Sequence, residues 1–576
     1  MSNPMNQNMP SSDDGPRNNV QGTNNPKLQS VNYVTLLPEG KTSGYKEQQQ
    51  VDFKIDPIQF PYIDGKQSYL LLNVTPSCRF SNSTADTPDL PLMFPPHMGA
   101  NALVNRLVCR VNDGTGKIIE DREAYNQYNG IKNAYSNDSD VFPSLSKVEG
   151  VTGRNTKEIN RTCDNVNNTY FYPLPDTSTT NTSVGGTQLI QNSFVLPIEL
   201  GLFSAFGNQH HAVPNMDIGG VHLTYHLEKA EPILPFMCHK FYKTETVNNI
   251  AVDVVQALDF YDLLDGEFTS PTEFVIDKTV CDANLTVNGE AWKIENLALR
   301  VGMPIKINSN NAESTISALS IDSALGQVKI TLTHGIGTIG NDSLKPDDHS
   351  GRSYTIDKVE LRVLNTVPDS ATMKDIKRAV MRGMNFNTTQ LFKISTAQAL
   401  KNAVIDIPES LTKCLSIFAV PCQQDNLNST DGENSYIFPR PDSILNSNNN
   451  DSSYQWQVRQ VLIPNLQVET NKFTDSNSDN VILFNQQLMA MRPMFDVRSL
   501  EDDSINKENN NLDLNLPFFY PLLLAPLGSS FNLIDSAPQL RLENVDASLT
   551  TAKLYFVHIN HVRLLKGNGN GVDIEF

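Results

Sequence analysis

Leu103-Val-Asn-Arg-Leu-Val-Cys-Arg-Val runs to Val111 and is followed by Asp113-Gly114, Ile118-Ile119 and the stretch Asp121–Tyr135. The spacing predicts a strand over 103–111, a turn at Asp113-Gly114, a short strand at Ile118-Ile119 and a helix over 121–135. Ala124, Tyr128, Ile131 and Tyr135 fall at helical intervals despite Gly130. The same order recurs far downstream. Trp456-Gln-Val-Arg-Gln-Val-Leu-Ile reads as a strand to Ile463, Pro464-Asn465 as a turn and Leu466–Val468 as a short strand. Residues 480–492 then read as a helix with Val481, Phe484, Leu488 and Met491 on one stripe, stopping at Pro493. What ends each half matches too: His222–Leu227 then Tyr354–Leu364 parallels Gln539–Leu542 then Leu554–Leu565. One architectural unit used twice explains both halves.

Outward from these blocks the pattern is that of strands. Val51, Phe53 and Ile55 interleave with Asp52, Lys54 and Asp56, which puts the apolar set on one face. Tyr69–Val74, Phe194–Leu200, Ala403–Ile407 and Leu415–Val420 continue the theme, with connections often longer than a simple hairpin needs. Long loops between short strands fit Greek-key sandwiches. The expected organisation is an N-terminal arm over 1–45, a first sandwich over 46–264 plus 352–366, and a second over 385–566. A small β insertion over 265–351 contains Leu299–Ile307 and Val328–Thr333, and a tail over 567–576 closes the chain. A helical linker over 367–384 joins the halves; in it Thr372, three residues before Asp375, opens a capping-box pattern and Gly383 ends the helix.

Composition narrows the function. The 576 residues carry 45 Lys and Arg against 64 Asp and Glu, a net charge of -19, which argues against a surface built to grip nucleic-acid phosphates. Charged residues are only 19% of the chain, and about one residue in ten is Asn, a turn-rich balance that favours strands over a helical bundle. Residues 1–30 hold Asp13 and Asp14 against Arg17 and Lys27, so the arm is suited to binding protein rather than genome. The cysteines at 78, 109, 163, 238, 281, 414 and 422 are odd in number and contain no Cys-x-x-Cys, which predicts buried free thiols. The N-terminus lacks the apolar core of a secretory signal. The run 516–527 is broken by Pro517, Pro521 and Pro526 and is too short to cross a bilayer. A soluble protein made inside a cell is expected.

No motif supplies an active site. Gly335-Ile-Gly-Thr-Ile-Gly340 has dinucleotide spacing, but Asn341-Asp-Ser-Leu-Lys-Pro346 cannot begin the helix that would receive a pyrophosphate, so a hairpin tip is expected. Gly40-Lys41-Thr42 ends like a phosphate loop without its leading glycine. His210, His211, His222 and His226 are the densest histidine cluster, yet His222 and His226 on one strand stand roughly 13 Å apart, too far for one metal. Asp475-x-Asn477-x-Asp479 has Gln486 where a calcium loop needs its bidentate Glu, so helix capping is preferred. There is no Gly-x-Ser-x-Gly and no His-Glu-x-x-His. No catalytic, cofactor-binding or metal residue is assigned, and no cofactor is expected.

The doubled strand–strand–helix unit resembles the double jelly-roll major capsid proteins, in particular those of polinton-like viruses and virophages. Phe194-Val-Leu-Pro-Ile-Glu-Leu-Gly-Leu-Phe, Val213-Pro-Asn-Met-Asp-Ile-Gly-Gly-Val-His-Leu, Tyr354-Thr-Ile-Asp-Lys-Val-Glu-Leu and Tyr454-Gln-Trp-Gln-Val-Arg-Gln-Val-Leu-Ile-Pro-Asn-Leu carry the resemblance over roughly 50–260 and 352–566. It implies an all-β fold of two tandem eight-stranded jelly rolls with short flanking helices, and a non-enzymatic homotrimer that forms pseudo-hexameric capsomers of an icosahedral shell. The implied partners are neighbouring capsomers, penton and minor capsid proteins, without sequence-specific nucleic-acid binding, and the implied location is the virion. Membrane contact stays open. The insertion over 265–351 departs from a minimal double roll. Lying before the last strand of the first roll, it is expected at the end that carries the other tall loops, facing outward. Some virophage relatives extend beyond the last strand; eleven residues follow Leu565 here, so no such extension is expected. The Pro- and Phe-rich stretch 515–527 is expected to be buried between subunits. Two other classes stay open on the residues alone, a penton- or fibre-type minor virion protein and a β-sandwich glycan-binding protein or glycoside hydrolase.

Overall fold

The computed structural model describes residues 28–78, 92, 94–95, 97–136, 144–145, 148–151, 193–204, 213–234, 239–258, 263–346, 352–423, 453–469, 478–495, 505–543 and 553–575, with short interruptions inside several of these spans. The first sandwich is built from β1 (Leu28–Leu36), β2 (Gln50–Ile55), β3 (Ile63–Cys78), β4 (Val104–Val111), β5 (Ile118–Glu123), β6 (Ser193–Pro197), β7 (Val221–Leu227) and β8 (Arg352–Pro368). Helices α1 (Tyr125–Ser136) and α2 (Gly201–Ser204) flank β6. The strands pair antiparallel as β1-β8-β3-β6 and β2-β7-β4-β5. That is the order of an eight-stranded jelly roll. The alternation read at Val51, Phe53 and Ile55 is the burial observed, all three facing the core.

After α3 (Ser370–Arg382) the fold repeats. The second set is β9 (Met384–Ser395), β10 (Ala403–Asp406), β11 (Cys414–Gln423), β12 (Ser453–Val458), β13 (Val461–Glu469), β14 (Tyr520–Leu523), β15 (Gln539–Glu543) and β16 (Lys553–Gly567), with α4 (Ser478–Met491) between β13 and β14. Its sheets run β9-β16-β11-β14 and β10-β15-β12-β13. Each number is the first roll's plus eight, so the chain is a double jelly roll. Between β7 and β8, strands at Leu264–Ser270, Glu273–Ile276, Pro304–Ile307, Glu313–Asp322, Gln327–Leu332 and Gly340–Pro346 close into a barrel, preceded by a hairpin of His239–Val247 with Ile250–Leu258. No helix among the described residues is long and apolar enough to cross a membrane.

Several local readings change. The arm gives way at Leu28, because β1 pairs along its length with β8 while only Val34 and Leu36 turn toward the core, too short a signal for composition to register. The helix expected from 121 starts at Tyr125: Asp121 and Glu123 continue β5 opposite Val108 and Arg106, and Ala124 makes the corner at φ 46°. The second hairpin turns at Arg459-Gln460, with φ 48° and 69°, so Pro464 lies inside β13, an edge strand where a missing N–H is tolerated. Helix α3 is capped by Asp369, whose carboxylate accepts from Thr372 N at 2.8 Å, and not by Thr372. Gly335–Gly340 is no hairpin tip, because the strands on either side of it have other neighbours in the barrel. Gly337 is required there by contact, since a Cβ would lie 2.1 Å from the Phe268 ring. Phe518, Phe519, Tyr520 and Leu522 are buried within the chain on and beside β14, so this part of 515–527 is core rather than an intersubunit loop.

Candidate assembly site: the seam between the rolls

One apolar cluster runs from the first roll to the outer face of a second-roll sheet, and a separate cluster fills the second roll's interior. On β16, Tyr555, Val557 and Ile559 face the second roll's interior, while Phe556 joins the apolar cluster of the first. On β11, Ile417 and Ala419 divide from Phe418, Val420 and Cys422 in the same way. The β9-β16-β11-β14 sheet is therefore buried on both faces, and what covers its outer side is α1. This helix is enclosed all round, Asn126, Gln127, Asn129 and Asn133 included. Enclosed amides need partners. Asn126 Nδ2 donates to Ala102 O and Glu228 Oε2, both at 3.3 Å, and Asn133 Nδ2 donates to His97 O at 3.1 Å, inside the first roll. Toward the second roll, Gln127 Oε1 lies 2.7 Å from His558 Nε2, Tyr128 OH donates to Asn560 Oδ1 at 3.3 Å, and Tyr135 OH donates to Gln487 Oε1 at 3.0 Å. The Tyr128 ring centroid sits 5.2 Å from Phe495 and 6.4 Å from Phe418, and that of Tyr135 5.6 Å from Phe519.

Beside α1, a charged cluster joins β5 to β9. Glu120 Oε1 accepts from Arg122 Nη2 at 2.9 Å, Thr388 Oγ1 at 2.8 Å and Gly201 N at 3.0 Å, and Oε2 accepts from Leu202 N at 3.3 Å. Arg122 also donates to Glu199 O at 2.7 Å and stacks over Tyr128, and Arg563 donates to Ile119 O at 2.9 Å. The cluster holds only while these four donors stay in place, because each one lost leaves a buried acceptor unsatisfied. Burial pulls the Arg122 guanidinium toward neutrality, but Glu120, Tyr128, Tyr125 and Glu199 together outweigh it and hold the pKa above the ordinary value. Burial, with the nearby cations of Arg122 and Lys393, depresses His558 to about 3, and burial beside Arg563 takes His561 to about 4, so both imidazoles are neutral. Packing is close enough that a Cβ on Gly201 would meet Asn387 O at 1.8 Å.

This arrangement packs the two sandwiches against each other through a continuous buried seam. The residues singled out in the sequence lie elsewhere. His222 and His226 share the half-buried face of β7, beside Asp52 at 3.3 Å and Gln50 at 3.1 Å respectively; His210, His211, Asp475 and Asn477 lie outside the described residues. Lys41 folds back on its own loop, donating to Gly44 O, with its ammonium 5.2 Å from the Tyr45 ring. Among the described residues no His, Cys, Asp and Glu group could hold a metal. Cys109, Cys281, Cys414 and Cys422 are buried, which pushes the last three thiols up to about 12. The side chains of Cys78, Cys163 and Cys238 are outside the described set. The seam residues were not picked out from sequence; the available signal was Phe556-x-His558-x-Asn560 interleaved with Tyr555-x-Val557-x-Ile559, a strand with burial signals on both faces.

The connections before β4, after β5 and after β7 meet at one end of the first roll. Ala100 N donates to Glu149 O at 2.7 Å, Glu228 N donates to Leu103 O at 2.9 Å, and Arg352 Nη1 donates to Leu234 O at 2.5 Å, at the root of the barrel insertion.

No family profile matches this sequence, and no curated protein does. Solved structures are similar over most of their length at low identity. The Faustovirus major capsid protein is 7% identical over 95% of this chain and 92% of that one, with a TM-score of 0.46. The capsid of PBCV-1 virus is 9% identical over 95% and 96%, with a TM-score of 0.40, and the mavirus major capsid protein 10% identical over 100% and 95%, with a TM-score of 0.37. The fold assignment stands on the strand orders of the two halves.

Proposed function

We propose that this chain is a major capsid protein whose homotrimers form pseudo-hexagonal capsomers of an icosahedral virion shell. The observation that carries this reading is the doubling itself. Two sandwiches of one strand order are locked by a buried seam into a single rigid tile, so three chains supply six near-equivalent units to a closed ring. A structural role agrees with the chemistry of the seam, where Glu120 bonds to Thr388 and Arg563 to Ile119 O from one roll to the other. The acidic balance fits a coat that does not grip DNA directly, with neighbouring capsomers, penton and minor capsid proteins as partners. The barrel insertion, rooted where the other long connections of the first roll meet, is assigned to the outer side of the shell.

Native mass of the purified full chain tests this, together with negative-stain images. Three 64.0 kDa chains, about 192 kDa, in particles of hexagonal outline are expected. A compact monomer at micromolar concentration overturns the reading. A capsomer map with residues 264–346 against the inner side of the shell overturns the orientation alone.

A further inference from the structure

The end of the first roll opposite the barrel insertion departs from the acidic balance of the chain. Strand β8 begins at Arg352, bonded to Leu234 O at the root of the insertion, and ends 17 residues on at Pro368, just before α3. At strand rise those points stand roughly 50 Å apart. Helix α3 buries Ile376 and Val380 and leaves Lys374, Lys377, Arg378 and Arg382 exposed. The helix carries a single carboxylate against these four cations, that of Asp375, 3.2 Å from Arg378. Two connections of the first roll close on the same end. Residues 56–62, between β2 and β3, meet the last turns of β8: Thr366 N donates to Tyr62 O at 2.9 Å and Asn365 Nδ2 to Gln59 O at 3.4 Å. The helical turn Asn215–Ile218 joins them where Met216 N donates to Pro61 O at 2.9 Å. Each of these pieces holds a large apolar side chain in water. Ile58 is 86% exposed, and Met216 and, on α3, Met381 are 49% exposed. The other carboxylates of this end are engaged locally. Asp56 accepts from Ile58 N at 2.8 Å and Gln59 N at 3.0 Å, Asp217 faces Tyr62 and Lys377, and Asp573 lies 3.0 Å from Lys117.

We infer that this end face binds an anionic lipid bilayer, through the cations of α3 and the apolar tips of Ile58, Met216 and Met381. Exposed cations beside exposed apolar tips suit such a surface on both counts. Headgroup charge attracts the cations, and the tips enter the interfacial layer. A nucleic acid would answer the cations through its phosphates but would leave the three apolar tips in water. That the face looks into the virion rests on the proposed orientation, with the barrel outward; the lipid contact itself does not. In a trimer three such faces lie side by side, so individually weak contacts add as avidity.

The test is flotation of the purified full chain with phosphatidylcholine vesicles that contain phosphatidylserine, against phosphatidylcholine alone, with filter binding of a short DNA duplex alongside. The chain should float with the anionic vesicles only. Raising salt from roughly 0.1 M to roughly 1 M, which shortens the screening length from about 10 Å to about 3 Å, should release it. Lys374→Gln combined with Arg378→Gln should weaken vesicle binding at least tenfold, at about fivefold for each surface cation. Ile58→Ser combined with Met381→Ser should weaken vesicle binding and leave duplex binding where it was. Lys46→Gln combined with Lys278→Gln removes two exposed cations, one opposite Thr355 near the start of β8 and one on the barrel, and should change nothing. All six side chains are exposed, so the variants should melt within a few degrees of the parent, and the lipid and salt comparisons need no variant. No flotation, equal flotation with both vesicles, or flotation indifferent to the α3 pair overturns the inference. Duplex binding without flotation overturns it in favour of nucleic acid. A monomeric parent, or a capsomer map with the barrel on the inner side, overturns the proposed function or its orientation and leaves the flotation result to stand by itself.

Discussion

The helices α1 and α4 occupy the same place in two copies of one fold, and their surroundings differ completely. Helix α1 has no exposed side: Asn126, Asn133 and Tyr125 bond within the first roll, and Gln127, Tyr128 and Tyr135 bond to the second. Helix α4 puts Leu483 into the second roll's interior, turns Phe484, Leu488 and Met491 into the cluster it shares with the first roll, where Phe484 stacks on Tyr135 at 6.1 Å, and leaves Ile482 in water. The outer sheet faces differ likewise. That of β16 presents Phe556, His558 and Asn560 to α1, whereas that of β8 presents Lys358, Glu360 and Arg362, joined in an exposed ion-pair chain of 3.0 and 3.1 Å. The difference teaches that a sandwich position does not dictate burial; what lies beside it does. The seam is where the chain has spent its apolar surface and its buried charge.

The severest way to break that comparison is to remove one charge from the seam. Arg122→Met leaves the buried Glu120 side chain accepting from Thr388, Gly201 and Leu202 but without its ion-pair partner. Removing one partner of a buried pair costs about 3–5 kcal/mol. Urea denaturation followed by intrinsic fluorescence should show a loss of that size. Mutating Arg362, the exposed partner of Glu360, should cost less than about 1 kcal/mol. Equal losses at the two sites would mean that the seam is no more consolidated than the outer face.

Acid is the next lever. His558 and His561 are held neutral with pKa values of about 3 and about 4 against an ordinary 6.5. The unfolded chain therefore takes up their protons first as pH falls. Their contribution is complete above 6.5 and is lost progressively down to 3–4, about 5 kcal/mol for His558 and about 3.5 kcal/mol for His561 at about 1.4 kcal/mol per pH unit. Glu149 slopes the other way. Burial, with the Glu199 charge adding to it, raises its pKa to about 7 against the pull of Lys132 and a hydrogen bond from Asn101, so its contribution is present below 4.5 and lost as pH rises through 7. Melting temperatures between pH 4 and 7 should fall with acidification. His558→Gln should flatten the curve, and Glu149→Gln should steepen it above pH 4.5. An unchanged slope in His558→Gln would remove the imidazole from the account.

Close approach is a smaller effect of a different kind. Gly201→Ala puts a methyl 1.8 Å from the Asn387 carbonyl, so α2 and β9 must separate, at roughly 2–3 kcal/mol. Gly114→Ala has nothing within 4 Å and carries only the strain of its φ of 88°, about 1 kcal/mol. Denaturation midpoints that rank the two the other way round would show that the seam yields at α2.

Legibility followed the reach of each signal. The alternation at Val51–Ile55, the doubled strand–strand–helix block and the separate β insertion are local patterns, and the observed strands follow them. Edge strand β1 was invisible because it is held by backbone pairing to β8, more than three hundred residues away in the chain, and backbone pairing leaves no mark on side-chain type. The turn at Arg459-Gln460 was missed because neither residue advertises the positive φ it adopts. The seam was illegible for a stronger reason. Gln127 and His558 are 431 residues apart, and neither becomes informative until the other is placed beside it.

The seam's hydroxyls give the smallest effect and the finest division. Tyr128→Phe removes a 3.3 Å bond to Asn560 while leaving Asn560 bonded to Thr389 at 2.7 Å and to Ser416 at 2.9 Å. The ring keeps its place between Phe495 and Phe418 and under the Arg122 guanidinium at 4.7 Å. With the acceptor still satisfied and the packing unchanged, the loss should be about 0.5–1 kcal/mol. Tyr454→Phe breaks the corresponding tie in the second roll, where the phenol donates to Gln486 on α4. A similar small loss there would place the stability of both rolls in ring packing. A loss above about 3 kcal/mol for Tyr128 alone would move it to the polar network, because only a cooperative chain of hydrogen bonds makes one hydroxyl that costly.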